Sequence, residues 1–430
     1  MNKLIKNGKM VDKNNQLVDV DLWIKDQKIN AVGRNFEQTG VHFDEVYDAQ
    51  GGLITPGLVD VHVHFREPGF THKETIETGS KAAARGGFTT VCAMPNLNPV
   101  PDTAEKLVKV QKIIERDACV KVLQYAPITE ELRSETLVNY QALKDAGAFA
   151  FTNDGVGVQT AGTMYLAMKE AVALNMAIVA HTEDESLLFG GVMHKGKVSE
   201  SLGLPGIMNA TEASQIARDV ILAEETGVHY HICHVSTEAS VRVIRDAKKA
   251  GIHVTAEVCP HHLILTDEDI PGDIGNYKMN PPLRSSRDQA ALIEGLLDGT
   301  IDCISTDHAP HSHEEKNQSM RKAAFGIVGS ETAFSLMYTE FVEKGIFTLE
   351  QVVDWMTKKP AEVFNLEAGT LQIGANADIA IYDLNHSEPI DDRKFESKAN
   401  NTPFIGKEVK GNTLMTFVNG QRVWSKEDSE

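Results

Sequence analysis

Between Leu58 and Asp307, short apolar runs rich in β-branched residues alternate with longer stretches in which apolar positions recur every three or four residues. The first pattern is that of buried strands and the second that of amphipathic helices, so their alternation predicts βα units around a parallel sheet. Strands are expected at Leu58 to His64, Thr89 to Ala93, Lys121 to Tyr125, Ala148 to Thr152, Ala177 to His181, His229 to His234, His253 to Glu257 and Cys303 to Asp307. Helices are expected over Thr75 to Arg85, Thr103 to Arg116, Gly162 to Leu174, Ala210 to Glu225 and Ser240 to Ala250. Eight such strands make an α/β fold of the (β/α)8 TIM-barrel type, whose active site lies at the carboxyl ends of the strands.

The termini follow a different rhythm. Lys3 to Val11, Asp19 to Lys25 and Lys28 to Val32 are strand-like patches separated by polar turns, and so are Ala377 to Tyr382 and Leu414 to Trp424, the last turning at Asn419-Gly420. Each end is too short to bury a core alone, which predicts one small β-sandwich built from both. The expected division is 1–53 and 367–430 for the two parts of the sandwich and 54–366 for the barrel.

Composition narrows the function without choosing it. With 430 residues, 42% hydrophobic and 24% charged, the chain has the make-up of an ordinary globular protein. Its formal net charge of −19 argues against nucleic acid or an anionic membrane as a partner, so an anionic substrate would need a local positive site. Cys92, Cys119, Cys233, Cys259 and Cys303 are scattered without a Cys-x-x-Cys, which suits reduced thiols of a cytoplasmic protein. No signal-peptide pattern and no apolar run of about 18 residues is present, in keeping with that location.

The candidate chemistry sits at the predicted strand ends. In Leu58-Val59-Asp60-Val61-His62-Val63-His64-Phe65-Arg66-Glu67-Pro68-Gly69, strand parity puts Asp60, His62 and His64 on one face, and Arg66 follows just beyond. The fourth strand runs into Asn153-Asp154, the fifth ends in His181, the sixth in His234 and the eighth in Asp307. Imidazole and carboxylate bind divalent zinc at roughly 2.0 to 2.2 Å, and open positions left for water mark a catalytic site. One such histidine is commonly a packed core residue; a set at matching strand ends points to a metal centre. On the sixth strand only His234 stands at the end, so His231 is expected to pack behind the ligands, and His261 and His262 are given a structural reading.

These residues resemble the amidohydrolase superfamily. Pro56-Gly57-Leu58-Val59-Asp60-Val61-His62-Val63-His64-Phe65-Arg66-Glu67-Pro68-Gly69 and Asp307-His308-Ala309-Pro310-His311 resemble, within it, the class I dihydroorotases, and the likeness spans nearly the whole chain. The resemblance implies two zinc ions held by His62, His64, Asp154, His181, His234 and Asp307. Many relatives bridge the metals with a carboxylated lysine at strand four, but Gly147 to Asp154 contains no lysine, and Asp154 takes the bridging place. A carboxylate differs from a carbamate in reach and charge, so the second metal is expected to be the weaker.

The implied reaction is the reversible hydrolysis of the ring amide of dihydroorotate to N-carbamoyl-L-aspartate, a step of pyrimidine biosynthesis, by a metal-bridged hydroxide. Asp307 is assigned the catalytic proton transfer. Arg66, Asn96 and His311 are assigned the substrate carboxylate, and His64, Asn280 and the backbone at Phe325 and Gly326 the rest of the substrate. The polar stretch from His308 to Gly326 is expected to be a loop that closes over the substrate. Alternatives are another cyclic amidohydrolase (a dihydropyrimidinase or allantoinase) without the anion clamp, and a non-catalytic scaffold for aspartate transcarbamoylase. Expected partners are the small-molecule substrate, with a homodimer and association with aspartate transcarbamoylase left open.

Overall fold

Three parallel strands, Leu58–Val63, Phe88–Ala93 and Lys121–Gln124, form one arc of a barrel wall in the computed structural model, which describes residues 1–428. Ile178–Ala180, Tyr230–Ile232, Val254–Val258 and Cys303–Ile304 form the other arc, again parallel. Single bridges close the ring. Val63 pairs with His308 at one seam, and at the other Phe151 pairs with both Ala126 and Ile178.

The fourth strand is therefore thinner than Ala148 to Thr152 predicts. Phe149 N–H donates to the Gln124 carbonyl at 2.9 Å and Phe151 N–H to that of Ala177 at 3.2 Å, after which Asn153 intervenes. Its side-chain oxygen accepts from the Ile128 and Thr129 N–H groups at 2.8 and 3.2 Å, so a side chain does the work of the next strand residue.

The helices lie close to their expected places because their N-caps are explicit in the sequence. Thr75, Thr103, Thr160 and Thr237 each accept a backbone N–H at the start of Ile76–Gly86, Ala104–Asp117, Ala161–Ala173 and Glu238–Lys249. Ala210–Thr226 completes the set expected from the sequence. Apolar residues from helices and strands, among them Ile76, Val91, Phe151, Ile178, Ile216, Ile232 and Ile244, pack into one large core.

Both termini enter a single eight-stranded sheet. Its order is Gln421–Ser425, Asn412–Val418, Ile379–Asp383, Leu53–Pro56, Asn2–Val11, Leu17–Lys25 and Lys28–Gly33, with Glu45–Asp48 also against Asn2–Val11. This sheet has its own core, including Leu22, Ile24, Ile54, Ile381 and Phe417. The Asn419-Gly420 turn has φ of 48° and 72°, the left-handed pair that a two-residue hairpin requires. Among the described residues, no helix is long and apolar enough to cross a membrane.

Candidate active site

The strands that lead to the candidate ligands are shorter than predicted, and this decides how the site is built. His62 lies within its strand, but His64 and His181 come one residue after theirs, His234 two residues after and Asp307 three. The pairing register also shifts between Asp60 and Val63, so simple alternation does not extend to His64. Backbone turns aim the side chains instead: φ is 62° at Arg66, 30° at His234 and 48° at Asp307. Non-glycine residues enter that left-handed region at a cost, and such strain concentrates at functional sites.

All six predicted ligands meet in one buried cluster. His62 Nε2 lies 3.2 Å from Asp307 Oδ1 and 3.4 Å from Asp154 Oδ1; His64 Nε2 lies 3.0 Å from Asp307 Oδ1 and 3.4 Å from Asp154 Oδ2. His181 Nδ1 and His234 Nε2 each stand 3.7 Å from Asp154 Oδ1 and 2.9 Å from one another. Two ligand groups result, His62 with His64 and Asp307, and Asp154 with His181 and His234, each with its donor atoms within 4.8 Å. Asp154 lies between them. His62 Nε2 and Asp154 Oδ1 are buried without a hydrogen-bond partner among the described residues, an arrangement that suits cations better than an apo core.

Charge in this cluster is strongly mutual. Burial pushes Asp154 and Asp307 up, but the surrounding imidazoles, His62 foremost, outweigh it and hold both below the usual carboxylate range. Burial pulls His62 down, and Asp154, Asp307 and Glu257 more than reverse that. The carboxylates are thus ionised acceptors at neutral pH.

A further layer fixes the rings. His62 Nδ1–H donates to Glu257 Oε1 at 2.6 Å, and Glu257 Oε2 accepts from His231 Nε2–H at 3.0 Å. Thr255 Oγ1 bonds the far nitrogen of His231 at 2.8 Å, so this histidine packs behind the ligands. Asp60 Oδ1 accepts from the backbone N–H groups of His62 and Thr306, both at 3.1 Å, tying the first strand to the loop that carries Asp307. His64 Nδ1–H donates to Asn96 Oδ1 at 2.9 Å. The contacts at His62 Nδ1 and His64 Nδ1 leave the Nε2 atom of each ring facing Asp154 and Asp307, the usual task of a partner behind a metal-binding histidine.

The rim holds the positive charge that the overall field lacks. Arg66 is buried, donating from Nε to the Pro310 carbonyl and from Nη2 to His311 Nε2, both at 3.2 Å. Burial draws its pKa down to about 10, against which Asp307 and Asp154 pull upward, so it keeps its charge at neutral pH. His311 is neutral, pushed down to about 2 by burial and by Arg66 and Lys73. Asn280 Nδ2 donates to Glu183 Oε2 at 2.6 Å, and Glu183 Oε1 lies 3.9 Å from His181 Nε2. Gly326 has its N–H on the Lys278 carbonyl at 3.1 Å and its own carbonyl shared by Lys316 Nζ and Asn401 Nδ2. The segment from His308 to Gly326 is anchored also by His311 N–H on Asn401 Oδ1 at 3.0 Å.

The comparisons follow this geometry. A family model described as dihydro-orotase-like matches residues 51–240. A dihydroorotase of Enterococcus faecalis is 74% identical over 427 residues, covering 99% of this chain and 100% of that protein. The chain belongs to the dihydroorotase family. A dihydroorotase of Staphylococcus epidermidis is 60% identical over 425 residues, with 99% and 100% covered. Among solved structures, the L-hydantoinase (dihydropyrimidinase) of Arthrobacter aurescens has a TM-score of 0.86 at 29% identity, covering 99% of this chain and 96% of its own.

Within this dihydroorotase-family site, sequence reasoning missed Glu257 and Glu183, and it noted Asp60 only as a strand neighbour. Glu257 was within reach of that reasoning, since it closes the predicted seventh strand as His181 and His234 close theirs. Glu183 follows His181 by two residues on a loop, where no periodicity marks it. His261 and His262 pack with ring centroids 4.2 Å apart, and His262 Nε2–H donates to the Pro281 carbonyl at 2.8 Å.

Proposed function

We propose that this chain is a dihydroorotase that opens and closes the ring amide of dihydroorotate, with two zinc ions at the two ligand groups and Asp154 between them. The observation that carries this reading is the buried Arg66 guanidinium on the same rim as the ligand cluster. A neutral cyclic amide gains nothing from such a charge, whereas a ring carboxylate can take a charge-assisted contact from it. When bound, divalent cations supply Lewis-acid polarisation of the carbonyl and lower the pKa of a water molecule.

The chain's own residues then divide the work. His62, His64, His181, His234, Asp154 and Asp307 hold the cations. Asp307, ionised and aimed into the cluster, takes the proton of the attacking water and returns it to the amide nitrogen as the carbon–nitrogen bond breaks. Arg66, Asn96 and His311 hold the substrate carboxylate, while His64, Asn280, Phe325 and Gly326 border the ring. Gly326 contributes by the absence of a side chain, because a Cβ there would stand 2.7 Å from the Ala309 carbonyl and 2.8 Å from His311 Cδ2.

The test joins metal analysis with assays on dihydroorotate, dihydrouracil and allantoin. Two equivalents of zinc and a strong preference for dihydroorotate are expected. Equal turnover of dihydrouracil would overturn the reading in favour of a dihydropyrimidinase.

A further inference from the structure

Lys316 has an environment that neither the metals nor the proton transfer explains. It is only 3% exposed, and its amine donates to three backbone carbonyls, those of Lys278, Ala324 and Gly326, each at 2.8 Å. An ammonium has three N–H donors, so every one is spent. Among the described residues, no carboxylate lies within ion-pair distance of it. A buried cation without a counter-ion gives up its hydration in return for these three hydrogen bonds alone, so it is a costly way to fill the space.

What the amine does accomplish is geometric. Lys278 precedes Asn280 on the loop after the seventh strand, whereas Ala324 and Gly326 flank Phe325 on the loop after the eighth. The amine ties these two loops together at the edges assigned to the substrate ring. Gly326 N–H on the Lys278 carbonyl and Asn401 Nδ2 on the carbonyls of Ala309 and Gly326, at 3.0 and 3.1 Å, continue the same lacing. Burial and, after it, the Lys278 charge draw Lys316 down to about 7, and three carbonyl dipoles aimed at the nitrogen oppose that by favouring the charged form.

We propose that Lys316 is a positioning residue for the substrate, a charged pin that holds the Phe325-Gly326 and Lys278-to-Asn280 backbones at the spacing the ring requires. The assignment of those backbones to the substrate rests on the proposed function; the pin itself does not. Without the ammonium, three carbonyls face a void, the loops part, and the ring loses its walls while the metal cluster on the strand ends stays intact.

The test uses the metal-loaded enzyme and the variants Lys316→Arg, Lys316→Gln and Lys316→Met. Each is read for metal content, for KM and kcat on dihydroorotate, and for the rate at which chymotrypsin nicks the chain at Phe325. Lys316→Met should raise KM at least about tenfold, the scale of lost hydrogen bonds to a charged group. Its kcat should stay within about threefold and its metal content at the parent value, the signature of lost binding rather than lost chemistry. Nicking at Phe325 should speed up. Lys316→Gln, with two donors and no charge, should fall between, and Lys316→Arg should come nearest the parent.

A folded Lys316→Met with parental KM and parental nicking overturns the pin. So does a fall in kcat accompanied by lost metal, which would make Lys316 a support of the whole site. If the Met variant does not fold, the Gln variant decides by the same two readings. If the parent fails to turn over dihydroorotate, the functional reading falls, and the nicking rates still decide whether Lys316 holds the loops.

Discussion

The metal-ligand cluster and the substrate rim lie side by side, yet they are built on different principles. The cluster stands on or just past hydrogen-bonded strands, and its rings are fixed by buried carboxylates: Glu257 behind His62 and Asp154 among four imidazoles. The rim stands on loops held by backbone carbonyls and neutral amides, with Lys316 and Asn401 as its fasteners. Disturbing the first should cost the metals and the chemistry. Disturbing the second should cost recognition and leave the metals in place.

The largest effects are therefore expected in the cluster. Alanine at His62, His64, His181 or His234 should remove metal and activity together while the barrel still folds, as measured by metal analysis and circular dichroism. Asp307→Asn preserves shape and a coordinating oxygen but cannot carry a proton, so kcat should fall by roughly 10² to 10⁴. Turnover within a few-fold of the parent, at full metal content, would move the proton-transfer role to another group.

Next comes the buried Arg66 of the rim. Arg66→Met should lower kcat/KM for dihydroorotate by about two orders of magnitude or more, on the scale of roughly 2 to 5 kcal/mol for truncating one partner of a buried charge pair. Dihydrouracil, which lacks the carboxylate, should be a poor substrate of both proteins. Metal content should not change; metal loss in this variant would erase the distinction between cluster and rim.

The same distinction governs what the sequence makes legible. Helix starts are announced by Thr75, Thr103, Thr160 and Thr237, and the barrel order follows from alternating periods. His62, His181 and His234 are legible because hydrophobic runs lead straight into them. The fourth strand was overread, since an apolar run does not reveal that Asn153 will take over the hydrogen bonds of its neighbours. Glu183 and Lys316 were invisible because their partners are far along the chain and on loops: 97 residues separate Glu183 from Asn280, and 38 separate Lys316 from Lys278. Mixed charge in residues 308–326 suggests a loop that closes; the three carbonyls that accept from Lys316 leave no trace in side-chain pattern.

Glu257→Gln tests the layer behind the cluster. A carboxylate accepts from His62 and His231 at once, whereas an amide has one oxygen for the two rings and must turn its NH2 towards the other. Metal affinity should drop by roughly 10- to 100-fold, as is typical for groups that orient a ligand, read by competition with a chelator. The metal-free chain should show a matching pH effect. Burial raises Glu257, but His62 and His231 hold it well below the carboxylate range. The stability it contributes is thus fully present above the unfolded value of about 4.3 and is lost as pH falls below that towards the folded one. The fall in urea midpoint between pH 6 and pH 3 should therefore be smaller in Glu257→Gln than in the parent, and an equal fall in the two proteins would assign the loss to another carboxylate.

The smallest effect is expected at Asn96, which belongs to the rim but holds a ligand of the cluster. Its oxygen accepts the His64 Nδ1 proton in a neutral bond, where Glu257 offers His62 a charged one. Neutral hydrogen bonds contribute on the order of 1 kcal/mol and charged ones about twice that, so Asn96→Ala should weaken metal binding only about fivefold. Because Asn96 also faces the proposed carboxylate position, KM should rise in the same variant, whereas Glu257→Gln should leave KM alone once metal is saturating. The two substitutions together separate orientation from recognition: chelator competition ranks them by charge, and KM at saturating metal picks out the one that touches substrate. Equal metal losses would show that the charge behind His62 is not what distinguishes the cluster, and an unchanged KM in Asn96→Ala would leave the carboxylate to Arg66 and His311.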